Sequence, residues 1–456
     1  MTTNGCEERP LPDGWMWTKL SDACYIELGQ SPPSSTYNTE GVGLPFFQGK
    51  AEFGDLYPTP VKWCSEPKKI AETGDVLISV RAPVGSTNLN REKSCIGRGL
   101  AAIRPNDSMS NLYFLYLLRY IQQELVDQAT GTTFQAISGK VLREQKIPLA
   151  PSPEQHRIIA EIEKQFTRLD QAVASLRRLQ GKLAQYRASV LKAACDGRLV
   201  PQDPNDEPAT TLLTRILAER RAQWQAANPG KKYKEVAGVE TADLPDLPEG
   251  WVWATLDQCF DVSRGRFSIR PRNDPRYYNG SHPFVQIGDL PRDGGNITQA
   301  SKTLNDKGLE VSRKFPKGTV LIAIVGATIG NTGVLTFDSC SPDSLVAFQA
   351  ENQVRLQFLE MYLRSKKLEI RSNSYASGGQ PNINLAYLLP YPIAVPPLAE
   401  QERIVAEVER RLSVVTATEQ AITANLARAE RLRQAILHRA FTGQLVPQEE
   451  VSAHAS

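Results

Sequence analysis

Between Glu154 and Cys195 an apolar side chain returns at every seventh position, at Ile162, Leu169, Leu176, Leu183 and Val190. The same period governs a second run, at Val408, Val415, Ile422, Ala429 and Ile436. Flanking residues such as Phe166, Val173, Leu179 and Tyr186 widen the seam into the stripe a helix needs to bury one face. Neither run contains proline, and Gly197 and Gly443 fall where a helix end favours glycine. Each run predicts one long helix of about 42 residues, roughly 60 Å at the helical rise. A stripe of that length outruns a small domain. The two helices are expected to pair as an antiparallel coiled coil; the alternative is that each docks on its own globular domain.

Elsewhere the pattern changes. "DVLISV" from Asp75 and "TVLIAIV" from Thr319 are short β-branched runs bounded by Gly or Pro, which reads as buried strands. "NLYFLYLLRYIQQEL" from Asn111 and "RLQFLEMYLRSKKLEI" from Arg355 carry the helical period. The stretches between are rich in Gly, Pro, Ser, Thr and Asn, so many loops must ride on the strands. One amphipathic helix is expected near Ala209–Ala226, with Leu212, Leu213, Ile216 and Leu217 lying along the coiled coil.

These elements recur. "LPDGWMWTKL" from Leu11 is echoed by "LPEGWVWATL" from Leu247, and the two phrases hold four of the six tryptophans. "PEQHRIIAEIEKQF" from Pro153 is echoed by "AEQERIVAEVERRL" from Ala399, and "GRLVPQ" from Gly197 by "GQLVPQ" from Gly443. The tryptophan phrases lie 236 residues apart and both later echoes 246, so the second globular part carries the extra length and the helical parts match. The chain is therefore expected to be α/β with long α-helices, a pseudo-two-fold internal repeat. The expected boundaries are a globular domain at 1–152, a long helix at 153–199, a linker at 200–246, a second domain at 247–395, a second helix at 396–448 and a disordered tail at 449–456.

At 456 residues two or three domains are expected. No apolar run reaches the roughly 18 residues of a membrane span. The polar start "MTTNGCEERP" lacks a signal pattern, which predicts a cytoplasmic protein with no membrane partner. The seven cysteines are scattered without a CxxC pair and read as buried free thiols rather than zinc ligands. There is no phosphate-binding glycine loop, no cofactor fingerprint, no nuclease-like acidic cluster, and the four histidines suggest no triad. This joint absence points to a binding protein without catalytic, metal or cofactor sites of its own.

Net charge is only +3, so the placement of basic residues matters more than their sum. "RGRFSIRPRNDPR" from Arg264 packs five arginines into thirteen residues. Arginine suits guanine edges and phosphates, although such a run can equally be a solvated face laced with ion pairs. Arg81, Arg91, Lys93, Arg98 and Arg104 surround strand ends in the first half. "TGTTFQ" from Thr130 and "SGGQPNIN" from Ser377 combine glycine with amide and hydroxyl groups, which suits adenine contact or a plain turn.

The duplicated phrases "LPxGWxW", "EQxRIxAExE" and "GxLVPQ" resemble those of type I restriction–modification specificity subunits, over nearly the whole chain. The resemblance implies two DNA target-recognition domains joined by the paired helices. It implies assembly with two methyltransferase and two restriction/translocase subunits, and S-adenosylmethionine held by the methyltransferase partners. The double-stranded DNA target would be bipartite and asymmetric, one half-site per domain. Candidate DNA contacts are Gln48, Lys50, Arg81, Thr133 and Gln135 in the first domain. In the second they are Arg264, Arg266, Gln286, Thr328, Asn331, Gln380 and Asn382. Glu154, Gln155 and Arg157, with Glu400, Gln401 and Arg403, are expected to cap the helices or meet partner subunits. The tryptophans are expected to pack where domain meets helix base rather than on nucleobases. Two rival readings are a helical scaffold carrying two protein-binding domains and a self-contained adenine methyltransferase.

Overall fold

The computed structural model describes residues 10–106, 109–131, 135–375 and 382–448. The tail at 449–456, Thr133 and Gln380 lie outside them. Two compact units divide the chain: Met1–Arg178 with Ile422–Ser456, and Leu179–Ala421.

In the first unit the tryptophan phrase opens a strand, Met16–Lys19, paired antiparallel with Lys146–Leu149. A four-stranded antiparallel sheet orders Cys24–Leu28, Leu100–Pro105, Val76–Ser79 and Thr87–Leu89. Every residue of Val76–Ser79 is buried, because the strand is covered on both faces. A second sheet holds Leu44–Phe47 beside Ser94–Ile96 in parallel, with Phe46 opposite Cys95. The helix Asn111–Tyr120 packs on the first sheet.

The second unit repeats this plan. Val252–Thr255 pairs with Pro392–Val395, and the central strand Val320–Ala323 is again wholly buried. The helix Gln353–Ser365 takes the place of Asn111–Tyr120. The parallel pair recurs, with Phe284 opposite Cys340.

The long helices run over Ser152–Cys195 and Leu398–Ala440. In the first unit Ile158, Ile162 and Phe166 share one core with Ile436, Leu437, Ala440 and Phe441. In the second, Ile404, Val405 and Val408 share one core with Val190, Leu191 and Ala194. The start of one helix thus lies beside the end of the other within each unit, which makes the pair antiparallel. Polar clasps flank the apolar seam, where Val415 and Ile422 are also buried. Arg433 bonds Asp170 and covers the Phe166 ring, while Arg187 bonds Glu419 at 2.8 Å. The helices therefore both pair and dock, since the apolar seam at their ends also completes each domain core.

The three echoed phrases meet at one junction per unit. Trp15 donates its indole N–H to Glu154 at 3.0 Å, and Trp251 to Glu400 at 2.9 Å; all four side chains are buried. Gln155 and Gln401 each donate to the carbonyl of the residue five positions before them, Ala150 and Pro396. Gly443 closes the second helix at φ +71°, and a Cβ there would stand 2.0 Å from Pro12. Gly197 does the same at φ +67°, with Pro248 at 2.5 Å. Glycine is needed at both places for the left-handed cap and for the close approach.

The linker helix spans Ala209–Ala227, but not along the coiled coil as its apolar face suggested. Ala209 and Leu212 enter the core of the second unit, with Leu213 and Ile216 against it, and Leu217 stays outside that cluster. Two polar ties explain the choice: Ala209 N–H donates to Gly250, and Arg220 bonds the Asp257 carboxylate at 2.9 Å. The six cysteines among the described residues are free and buried; Cys6 lies outside them.

Trp15→Phe removes the donor to a buried carboxylate and is expected to cost about 1–3 kcal/mol. Urea unfolding of the full chain checks this, and an unchanged midpoint would contradict it. The Oε1 atom of Glu400 has no partner among the described residues, and burial raises its pKa despite Trp251 and Arg403. A carboxyl so raised costs stability when ionised and none when protonated in both folded and unfolded chains. Glu400→Gln should therefore raise the unfolding temperature at pH 7, with the gain fading as pH falls through the raised value and gone below the usual carboxylate range. A gain that persists unchanged at acid pH would refute this.

Candidate nucleic-acid interface

At one end of the buried sheet of the first unit, three backbone segments close on one another. Gly29 N–H donates to Leu100 at 2.9 Å, Leu100 N–H to Gly97 at 3.0 Å, and Val80 N–H to Gly99 at 2.9 Å. The approach admits no side chain: a Cβ on Gly29 would stand 2.2 Å from the Gly97 oxygen, and one on Gly99 2.2 Å from that of Gln48. On this braced platform Gln48, Lys50, Arg81 and Arg98 are exposed. Gln135 joins them, because its carbonyl accepts from Ala82 N–H at 2.9 Å and Ala136 bridges to Arg81. Four of the five candidates of this domain are thus brought to one surface.

The second unit builds the same platform with other side chains. Gly265 N–H donates to Leu345 at 2.9 Å, Leu345 N–H to Pro342 at 3.1 Å, and Ile324 N–H to Ser344 at 3.1 Å. This pattern matches Gly29 with Gly265, Gln30 with Arg266, Arg98 with Asp343 and Arg81 with Val325. The bridge from Arg81 to Ala136 reappears as Val325 to Asn382. Gln286, Phe267, Arg272 and Ser344 line a cavity of about 480 Å³ here.

The arginine run is only partly free. Arg264 donates to the Asp343 carbonyl, and Arg266 to the carbonyls of Glu310 and Ser312 at 3.3 and 2.9 Å. Both remain exposed. Thr328 is half-buried, with its hydroxyl turned back on Val325, and Asn331 is buried at 8% exposure. Gln286 is half-buried like Thr328, whereas Asn382 is exposed. Arg104 serves the fold: its guanidinium makes two 2.8 Å bonds to Asp75, which is 2% exposed. Glu154, Gln155, Glu400 and Gln401 are buried within their own units, whereas Arg403 bonds Asp206 at 2.6 Å. Asp343 and Gln30 were not among the candidates. The alignment of the two repeats through the insertion between Gln48 and Cys95 was the signal that could have found them.

The profile of the type I restriction modification DNA specificity domain matches residues 12–176 and 248–428. The chain belongs to that family. A putative type I restriction enzyme MjaX specificity subunit of Methanocaldococcus jannaschii is 39% identical over 192 residues, 41% of this chain and 44% of the relative. The EcoDI specificity subunit of Escherichia coli is 23% identical over 96% of this chain and 90% of its own length. Among solved structures, a chain from a study of complex assembly and conformational transition of the type I R-M system has a TM-score of 0.70 at 21% identity, covering 96% of this chain and 100% of that one. The HsdS subunit from Thermoanaerobacter tengcongensis has a TM-score of 0.55 at 21% identity, covering 96% and 99%. The fold is theirs: two α/β domains with long helices. DNA recognition is the role that follows from the family, whose specificity subunits are generally non-catalytic. No helix among the described residues is long and apolar enough to cross a membrane.

Because Gly99 has no room for a side chain, Gly99→Ala must displace the segment carrying Gln48. It is expected to cost about 1–3 kcal/mol, read as a lower thermal midpoint. Retention of the wild-type midpoint would show that the platform is not braced as described.

Proposed function

We propose that this chain reads a bipartite, asymmetric DNA target, each unit taking one half-site with its sheet-end platform. The observation that carries this reading is the repetition of one braced backbone frame with different side chains: Gln30, Arg81 and Arg98 against Arg266, Val325 and Asp343. A frame held constant while the side chains on it change is what two different half-sites call for. Gln48 and Gln286 occupy equivalent places after the parallel strands, and glutamine suits a bidentate contact with adenine. Lys50, Arg81 and Arg264 are better placed as phosphate contacts, which position without specifying. The length-matched helix of each repeat supports an unread spacer of fixed length between the half-sites.

In this reading the chain acts in the cytoplasm and catalyses nothing. Two methyltransferase subunits supply S-adenosylmethionine and the N6-adenine transfer, and two translocase–nuclease subunits supply restriction. The buried Glu154–Gln155 and Glu400–Gln401 pairs hold the junctions together, leaving the exposed helix faces for partners.

Single-molecule methylation sequencing of cells expressing the full system tests the reading. Gln48→Ala should relax or change one half-site of a bipartite motif, and Gln286→Ala the other half-site only. Each should cost about 1–3 kcal/mol of discrimination at a contacted base pair. If both variants changed the same half-site, or neither changed the motif, the assignment of one half-site per unit would fail.

A further inference from the structure

The two platforms differ most in charge at one matched position. The segment Gly97–Arg98–Gly99 in the first unit corresponds to Pro342–Asp343–Ser344 in the second, as the shared hydrogen bonds to Leu100 and Leu345 fix. Arg98 faces a neutral strand exit, Gly29–Gln30–Ser31. Asp343 faces the arginine run. Its carboxylate accepts from Arg272 through Oδ1 and from Arg270 at 3.3 Å through Oδ2, while its carbonyl accepts from Arg264. The arginines at 270 and 272 keep 56% and 49% of their side-chain exposure, so each is held at the surface rather than in the core. Arg272 also lines the cavity with Gln286.

We propose that Asp343 is a specificity-determining residue of the second platform. Building on the DNA-reading function above, it occupies Arg270 and Arg272 so that they do not grip the phosphates of any passing duplex. A carboxylate here stands where phosphate oxygens would: it accepts one bond from each guanidinium, while Arg270 also donates to the carbonyls of Phe267 and Ile269, and its charge repels the backbone. Left unopposed, these two arginines would bind DNA of every sequence, since phosphate contacts supply non-specific affinity. Asp343 spends part of that affinity on discrimination. The first unit needs no such residue because its strand exit carries no arginine.

The test is fluorescence anisotropy of the full-length chain with a labelled 30-base-pair duplex of arbitrary sequence, across a potassium chloride series. Each phosphate contact adds about 0.9 to the slope of log affinity against log salt. Asp343→Asn, which keeps the shape, should steepen the slope by about one to two and raise affinity at low salt about tenfold or more. Asp343→Glu, which keeps the charge, should stay near wild type. Arg270→Ala/Arg272→Ala/Asp343→Asn should lose the gain. An unchanged slope in Asp343→Asn would overturn the proposal, and so would a gain that survives removal of both arginines, because it would be a general effect of charge. Wild-type chain with no salt-dependent affinity would instead remove the DNA-reading function itself.

Discussion

A hydrogen bond from an indole to a buried carboxylate organises each half of this protein. Trp15 on Glu154 and Trp251 on Glu400 join the first strand of a domain to the first turn of a long helix. Burying a carboxylate is unfavourable unless its oxygens are bonded, so the tryptophan must sit there with its N–H aimed at the helix. That demand fixes the proline before the indole, and the proline in turn leaves room only for glycine at the end of the other long helix. Three phrases far apart in sequence become one contact set. At the junction the halves differ in one detail: Gln448 completes Glu154 at 2.9 Å, whereas among the described residues the second oxygen of Glu400 has no such bond.

What the junction supports is a frame for display. The buried strands Val76–Ser79 and Val320–Ala323 end where glycines let backbone segments touch, and exposed side chains stand on those segments. Rigidity comes from main-chain bonding, which is indifferent to side-chain identity. The displayed residues are therefore free to differ between units, as Arg98 and Asp343 do.

The legibility of these features in the sequence follows their range. The heptads of both helices were readable because a seven-residue period is local, and the tryptophan phrases because they occur twice. The linker helix was readable as a helix but not in its place. Leu212, Leu213 and Ile216 form an apolar face that suits either the coiled coil or the second domain, and Arg220 with Asp257 decides between them. The candidate DNA-contact surface was the least legible. Whether Arg266 contacts a carbonyl or solvent depends on where Glu310 and Ser312 lie, and no local pattern encodes that. Likewise Asn331 looked available in a polar loop, but its neighbours Thr328 and Ala323 draw it into the turn and the sheet.

In the proposed function two similar platforms in one chain touch DNA at two separate places. Hydroxyl-radical footprinting of the full-length chain, on a duplex carrying the motif it directs to methylation, tests this most directly. Two protected patches of unequal pattern are expected, separated by an unprotected gap shorter than one helical turn of about 10 base pairs. A single continuous patch, or protection of one half-site alone, would contradict it.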